Sequence, residues 1–217
     1  MGQIQIIVEG MTASGKSTIV NLLSERLGFK IMPEEFRDPL DLLNRFHHDH
    51  KWAFPMQLNF LVTRFAQYLC ASEEDNYILD RSVFGDKVYA MLYYRNGYFK
   101  DSQLGCYLTL YDSLLRYVRK PKLFIIVRCS FDEIMRRIHD RGRQDEIDAG
   151  VEYWKSLYDA YMPFLDFVKS ELQGDIDFIE LELSDPKFIS TPSMVNDFLG
   201  KVNEFFPDRK ILPAHEN

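Results

Sequence analysis

Gly10-Met11-Thr12-Ala13-Ser14-Gly15-Lys16-Ser17-Thr18 is the stretch on which the reading of this chain turns. It is a glycine, four residues, then Gly-Lys-Ser. An apolar strand-like run, Ile4-Gln5-Ile6-Ile7-Val8, precedes it, and Ile19, Val20, Leu22, Leu23 and Leu27 follow with helical spacing. Strand, loop and helix in that order suit a phosphate. The glycines let the backbone curl so that several N–H groups face one cluster of oxygens. Lys16 adds a mobile positive charge, the Ser17 hydroxyl can ligate Mg²⁺, and the helix N-terminus adds a favourable dipole. An ordinary glycine-rich turn with a surface lysine would not need that strand and helix around it. The chain is therefore expected to bind a nucleoside triphosphate through Gly10 to Thr18.

The totals limit what else the chain can be. Its 217 residues can bury a full core, and one domain over residues 1–206 is expected, followed by a loose tail over 207–217. A hydrophobic fraction of 46% with 27% charged residues is that of an ordinary globular protein. The net charge of −7 argues against a broad nucleic-acid footprint, so the basic residues that matter should be local and grouped around phosphates. The three cysteines, Cys70, Cys106 and Cys129, are far apart and form no C-x-x-C pair. They read as thiols of a reducing compartment, not as a disulfide frame or zinc site. The first strand starts by residue 4, and no apolar run approaches a membrane span; no leader, no membrane anchor and a cytoplasmic location are expected.

Along the chain, strand-like segments at Ile4–Val8, Phe29–Met32, Tyr77–Asp80, Leu123–Val127 and Phe178–Leu183 alternate with helical ones. In Trp52–Ser72, Phe54, Leu58, Leu61, Val62, Phe65, Tyr68 and Leu69 recur at three and four; Asp101–Arg119 and Val151–Glu171 are further long helices. This order predicts an α/β fold: a five-stranded parallel sheet with helices on both faces. Ligands then bind at the carboxyl ends of the strands, which directs attention to the residues there.

The second strand ends in Met32-Pro33-Glu34-Glu35. A carboxylate near the phosphate loop can take the proton of an attacking hydroxyl, and Glu34 follows a strand expected to lie beside the first. A solvated acidic turn is the plainer alternative. The third strand ends in Asp80-Arg81-Ser82, where the acid can hold Mg²⁺ or its waters and the arginine can neutralise a migrating phosphoryl group. A helix cap with a surface salt bridge would look the same. Arg136, Arg137, Arg141 and Arg143 crowd around Gly142 in an acidic chain, which predicts an arginine-rich lid over phosphates, with Asp145 and Glu146 following to bind sugar hydroxyls or balance the charge. Gln57 and Arg64 are seven apart and share a helix face; the amide suits a base edge. His47, His48 and His50 lack the spacing for one metal-binding helix face and are expected to be solvated.

Together these pieces, from residue 3 to about 172, resemble the deoxyribonucleoside kinase family of deoxycytidine, deoxyguanosine and deoxyadenosine kinases. The phosphate loop with Lys16-Ser17-Thr18 matches. Pro33-Glu34 stands where the family has its catalytic base, and Trp52, Gln57 and Arg64 match its base-binding helix. Asp80-Arg81-Ser82 matches the form found in bacterial members, Asp86 the acidic base-selecting position, and Arg137, Arg141, Arg143, Asp145 and Glu146 the lid. The resemblance implies a P-loop kinase fold and transfer of the ATP γ-phosphoryl group to the 5′-hydroxyl of a deoxynucleoside. It implies Glu34 as base, with Lys16 and Arg81 on the phosphoryl group and Mg²⁺ between Ser17 and Asp80. Arg137 is expected on adenine, and Arg141 and Arg143 on phosphate. It also implies a homodimer through the long helices.

Two departures stand out. Glu35 replaces the proline that usually follows the catalytic Glu. Phe46 replaces a tyrosine that often touches the sugar 3′-hydroxyl, which shifts sugar recognition towards Glu146. Arg64 and Asp86 are expected to pair in the base pocket and to favour deoxyadenosine, deoxyguanosine or deoxycytidine over thymidine. A nucleoside monophosphate kinase of the thymidylate type is the alternative, with Arg37 and Arg45 as the acceptor-phosphate cluster. A GTP-binding switch would carry Asn-Lys-x-Asp, and no Asn-Lys pair occurs.

Substituting Glu34→Gln is expected to lower kcat by about 10²- to 10⁴-fold with a far smaller change in nucleoside KM. Steady-state kinetics check it; a larger loss in Glu35→Gln moves the base by one residue.

Overall fold

The computed structural model describes residues 3–32, 38–172 and 174–213. Five parallel strands form one sheet: β1 (Ile6–Glu9), β2 (Lys30–Met32), β3 (Tyr77–Asp80), β4 (Leu123–Arg128) and β5 (Asp177–Glu182), in the order β2-β3-β1-β4-β5. The expected strands are all present within two residues. One neighbour differs: β2 pairs with β3 and lies at the sheet edge, so the chain leading to Glu34 leaves from the strand next but one to β1. The short β2, three residues and partly exposed, reflects that edge position.

Alternation along the strands separates two cores. Ile6 and Val8 of β1, with Ile78, Leu123, Ile125 and Val127, face α1 (Lys16–Leu27) and α9 (Pro192–Glu204). Ile7, with Leu79, Phe124 and Ile126, faces the larger set, α3 (Ala53–Ala71), α4 (Asp86–Arg95), α5 (Asp101–Leu115), α6 (Phe131–Arg141) and α8 (Gly150–Leu172). Successive residues on a strand point to opposite faces, so strands apolar throughout must be covered on both. Two short helices complete the set, α2 (Leu42–His48) and α7 (Gln144–Asp148). The sequence reading did not separate α4 from its surroundings and stopped α5 four residues too late. Among the described residues no helix is long and apolar enough to cross a membrane.

The stretch after Phe206, expected to be loose, is tied down as far as the structure describes it. Arg209 lies over the Phe29 ring at 3.7 Å, and its Nη1 donates to the Leu27 carbonyl at 2.9 Å while Nη2 donates to Asn76 Oδ1. Leu212 N–H donates to Arg26 O at 2.8 Å, and Arg26 Nε donates back to Leu212 O at 2.6 Å. A lone Arg in a polar tail gives no sign in the sequence that its partner is an aromatic ring nearly the whole chain away. Residues 214–217 lie outside the described residues.

Replacing Arg209 by alanine is expected to lower unfolding free energy by roughly 1–3 kcal/mol, from the lost cation–π contact and two hydrogen bonds. Urea unfolding measures this; a value within 0.5 kcal/mol of wild type, as ~0.5 is the ordinary surface range, returns the tail to a loose end.

Candidate active site

The loop between β1 and α1 curls as a phosphate cradle must. Ala13 and Gly15 take positive φ, 61° and 106°, and Ser14 N–H donates to Met11 O at 3.1 Å. A Cβ on Gly15 would stand 2.9 Å from Leu183 and 3.2 Å from Arg137, so glycine is needed there for space as well as for φ. Gly10, Met11 and Ser14 form the inner side of the loop, while Thr12, Ala13, Gly15, Lys16, Ser17 and Thr18 line a cavity of about 850 Å³. The Lys16 ammonium donates to Met11 O at 2.9 Å, folded over the cradle.

Sheet register brings the second cluster to this loop. Val8 sits opposite Asp80, so the end of β3 meets the first turn of α1, and Ser17 Oγ donates to Asp80 Oδ2 at 2.5 Å. Asp80 Oδ1 is buried with no hydrogen-bond partner among the described residues. A hydroxyl and a carboxylate with an unused oxygen are hard donors that fit Mg²⁺, which takes few protein ligands and completes its shell with phosphate and water. Among the described residues no group of three or more His, Cys, Asp or Glu could hold a metal by itself. Arg81 has φ 74°, and its backbone N–H donates to Val8 O at 2.9 Å. Its guanidinium lies over the Tyr89 ring, donating to Tyr89 Oη at 2.7 Å and Thr12 Oγ1 at 3.3 Å.

The apolar end of the cavity is built by α3, α4 and α8. Arg64 of α3 and Asp86 of α4 form the expected ion pair, with side chains only 7% and 2% exposed. Gln57 Nε2 donates to the backbone carbonyl of Asp86 at 3.1 Å, so the amide braces the turn that carries the acid. Met56, Phe60, Tyr89, Tyr93, Tyr153 and Trp154 complete the wall. Burial first, then the Asp86 carboxylate, push the Tyr107 and Tyr111 phenols of α5 well above their ordinary range.

Two expected residues are not on this wall. Phe46 is buried behind it, its ring 5.0 Å from Tyr93 and 6.1 Å from Tyr98. Trp52 carries the Arg45 guanidinium over its ring at 5.0 Å. Apolar packing took both, and helical spacing alone does not separate a wall from the layer behind it. His50 stacks on Tyr98 at 3.8 Å and His47 lines the cavity, while His47, His48 and His50 all remain exposed, as expected. Glu34, Glu35 and Arg37 lie outside the described residues.

The arginine cluster is two units. Arg136 and Arg137 belong to α6, where both bind Glu133; Arg136 first, with Arg137, holds that carboxyl at about 2, well below its usual range. Arg137 also donates to the carbonyls of Ser14 at 2.8 Å, Ala13 at 3.3 Å and Leu183 at 2.6 Å, which clamps the phosphate loop to the end of β5. The helix ends with Arg141 and is capped by Gly142, φ 67°; Arg141 on its last turn and Arg143 just past the cap both grip Glu146. Trp154 Nε1 donates to Glu146 O at 2.8 Å and fixes the far side of this turn.

Sequence reasoning missed Glu9, fully buried at the end of β1. It accepts from Gly10 N–H at 2.9 Å, Ser82 N–H at 3.0 Å, Ser82 Oγ at 2.5 Å and Tyr161 Oη at 2.6 Å. Burial, then the Glu9 carboxylate, push the Tyr161 phenol far up, so it stays a donor. The signal was present: an acid closing an apolar run immediately before the first loop glycine. The tyrosines of the wall gave no such signal among 12 Tyr and 17 Phe.

A glycine-framed phosphate loop at the carboxyl edge of a parallel sheet, faced by an Asp-Arg strand end and a basic flap, defines a P-loop phosphotransferase. The chain belongs to the deoxynucleoside kinase family: residues 6–207 match the model described as deoxynucleoside kinase. It is 30% identical over 161 residues to the deoxyadenosine/deoxycytidine kinase of Bacillus subtilis, covering 72% of this chain and 74% of that protein. It is 29% identical over 191 residues to the deoxyguanosine kinase of Lactobacillus johnsonii, covering 82% and 85%. The structure of deoxyadenosine kinase from M. mycoides with bound dATP superposes with a TM-score of 0.76 at 25% identity, covering 92% of this chain and 99% of that one. The family match favours a nucleoside acceptor over the thymidylate-kinase alternative.

Removing one member of the buried ion pair leaves the other charge buried without that partner. Asp86→Ala or Arg64→Met alone is expected to destabilise by about 3–5 kcal/mol, and the double Arg64→Met/Asp86→Ala by less than the sum. Denaturant unfolding of the three variants measures the coupling, and additive losses would mean the pair is not one unit.

Proposed function

We propose that this kinase transfers the γ-phosphoryl group of ATP to the 5′-hydroxyl of a deoxynucleoside, with deoxyadenosine, deoxyguanosine and deoxycytidine preferred to thymidine. The observation that carries the preference is the buried Arg64–Asp86 pair beside Gln57 at the apolar end of the cavity. The exocyclic amine of adenine or cytosine can donate to the carboxylate, while the guanidinium donates to the neighbouring ring nitrogen. Thymine, like guanine, has a carbonyl where that amine would be, and it alone adds a 5-methyl group that needs room. An ion pair there leaves its polar groups mismatched, which is worth about 1–3 kcal/mol of discrimination. The names of the relatives agree, being deoxyadenosine/deoxycytidine and deoxyguanosine kinases, and deoxyadenosine is the first choice.

These roles are proposed for the residues of the site. Gly10 to Thr18 cradle the donor phosphates, with Arg137 stiffening the loop from behind and offering its guanidinium face to adenine. Lys16 swings from Met11 O to a phosphate oxygen. Arg81, already aimed across Thr12, meets the migrating group. Ser17 and Asp80 would hold Mg²⁺, which when bound neutralises charge on the phosphates. Glu34 takes the 5′-hydroxyl proton, the role assigned from its place in the sequence. Arg141 and Arg143 exchange Glu146 for phosphate as the flap closes, which frees that carboxylate for a sugar hydroxyl. Phosphoryl transfer of this kind depends on positioning and electrostatics more than on covalent chemistry. The homodimer implied by the resemblance would use the outer faces of α3 and α5.

The test is a comparison of kcat/KM for all four deoxynucleosides with ATP and Mg²⁺. Wild type is expected to use thymidine at least ~10-fold less well than its best substrate, and Arg64→Met/Asp86→Ala to narrow that gap. Thymidine as the best substrate of wild type, or a double variant with no gain on thymidine, refutes the preference.

A further inference from the structure

We propose that Glu9 is a positioning residue for phosphoryl transfer: its buried carboxylate locks the phosphate loop and the Asp80-Arg81-Ser82 turn into one fixed relation. The inference rests on the kinase reading of the site.

Glu9 is 0% exposed and ends the central strand of the sheet. An apolar side chain would pack there without penalty, whereas a buried carboxylate survives only where donors surround it. The donors come from three separate segments. Oε1 accepts from Gly10 N–H, the first amide of the phosphate loop, at 2.9 Å and from the Tyr161 hydroxyl of α8 at 2.6 Å. Oε2 accepts from Ser82 N–H at 3.0 Å and from the Ser82 hydroxyl at 2.5 Å. Packing around this knot is tight: a Cβ on Gly85 would stand 2.9 Å from Tyr161 Oη and 3.0 Å from Glu9 Oε2.

The consequence falls on Arg81. Its φ of 74° is disfavoured for a long side chain and persists only where the flanking residues are pinned. They are pinned from β1, by Val8 O on Arg81 N–H and by the Glu9 carboxylate on Ser82 N–H. Held in this way, the guanidinium reaches Thr12 Oγ1 in the phosphate loop and Tyr89 Oη. One side chain thus sets where the loop begins and where the arginine opposite it points. Glutamine has the same shape but cannot replace it. Its amide NH₂ would face either Gly10 N–H or Ser82 N–H, and a backbone donor, unlike a hydroxyl, cannot turn away.

Steady-state kinetics on the full chain, with activity referred to folded enzyme and Tm measured alongside, test this. Wild-type turnover of a deoxynucleoside with ATP is recorded first; its absence refutes the kinase reading and is a separate failure. With wild type active, Glu9→Gln is expected to lower kcat by roughly 10²-fold, the scale of a 1 Å misplacement, with both KM values within about 3-fold. Ser82→Ala and Tyr161→Phe, each removing one donor, are expected to lower kcat by about 3- to 10-fold. Glu9→Gln added to Arg81→Ala is expected to cost less than about 3-fold more, because the arginine it positions is gone. A Glu9→Gln kcat within about twofold of wild type, or a fully multiplicative double variant, overturns the proposal. If Glu9→Gln does not fold, Ser82→Ala and Tyr161→Phe decide: a lower Tm with wild-type kcat in both also overturns it.

Discussion

A carboxylate shut away from water at the end of the central strand constrains everything around it. Glu9 must be met by donors, and the fold supplies them from the loop that follows it, from the turn after β3 and from the middle of α8. The loop and the turn line the cavity, and the middle of α8 backs them through Tyr161. The parallel pairing of β1 with β3 brings them together, since the register of Val8 with Asp80 sets the Asp80-Arg81-Ser82 turn beside the start of α1. The same register brings Ser17 within hydrogen-bond reach of Asp80. The phosphate end of the site is therefore a property of sheet geometry before it is a property of any loop.

The remaining charges share a pattern: Asp80, Asp86 and Glu146 in the cavity each already have a basic or hydroxyl partner. Asp86 holds Arg64 where almost no solvent reaches, and a buried charge there without its partner would be strongly unfavourable. Glu146 holds Arg141 and Arg143 nearer the surface, where screening makes such pairs weak and exchangeable. Burial thus separates the Arg64–Asp86 pair from the more exposed Glu146 pairs, the difference that the proposed base-reading and flap roles require. Arg137 ties Glu133, the loop carbonyls and the end of β5 together, so the proposed flap would begin at the helix end, Arg141-Gly142, and not at the first arginine of the run.

Much of this was legible in advance because the signals were local. Gly10 to Thr18 has a fixed spacing, the strands are short apolar runs bounded by polar residues, and Asp80-Arg81-Ser82 stands at a strand end. The pairing of Arg64 with Asp86 could be expected because two opposite charges in an apolar setting need each other. Phe46 and Trp52 are not among the residues lining the cavity, and sequence spacing alone could not say so. In the tail, Arg209 finds Phe29 and Leu27, contacts that no local pattern announces.

The sequence by itself determined the class of the protein. Glycine spacing dictates backbone curvature, apolar periodicity dictates strand and helix, and the order of these elements leaves little choice but a parallel sheet with a phosphate at its carboxyl edge. Only the tertiary structure decided which strands are neighbours, with β2 beside β3. Only it revealed the four donors on Glu9, and that Arg137 is anchored to the phosphate loop while Arg141 and Arg143 meet Glu146. Those facts depend on contacts between residues as far apart as Glu9 and Tyr161. Burial and register arise from the whole chain packing at once, and no window of sequence contains them.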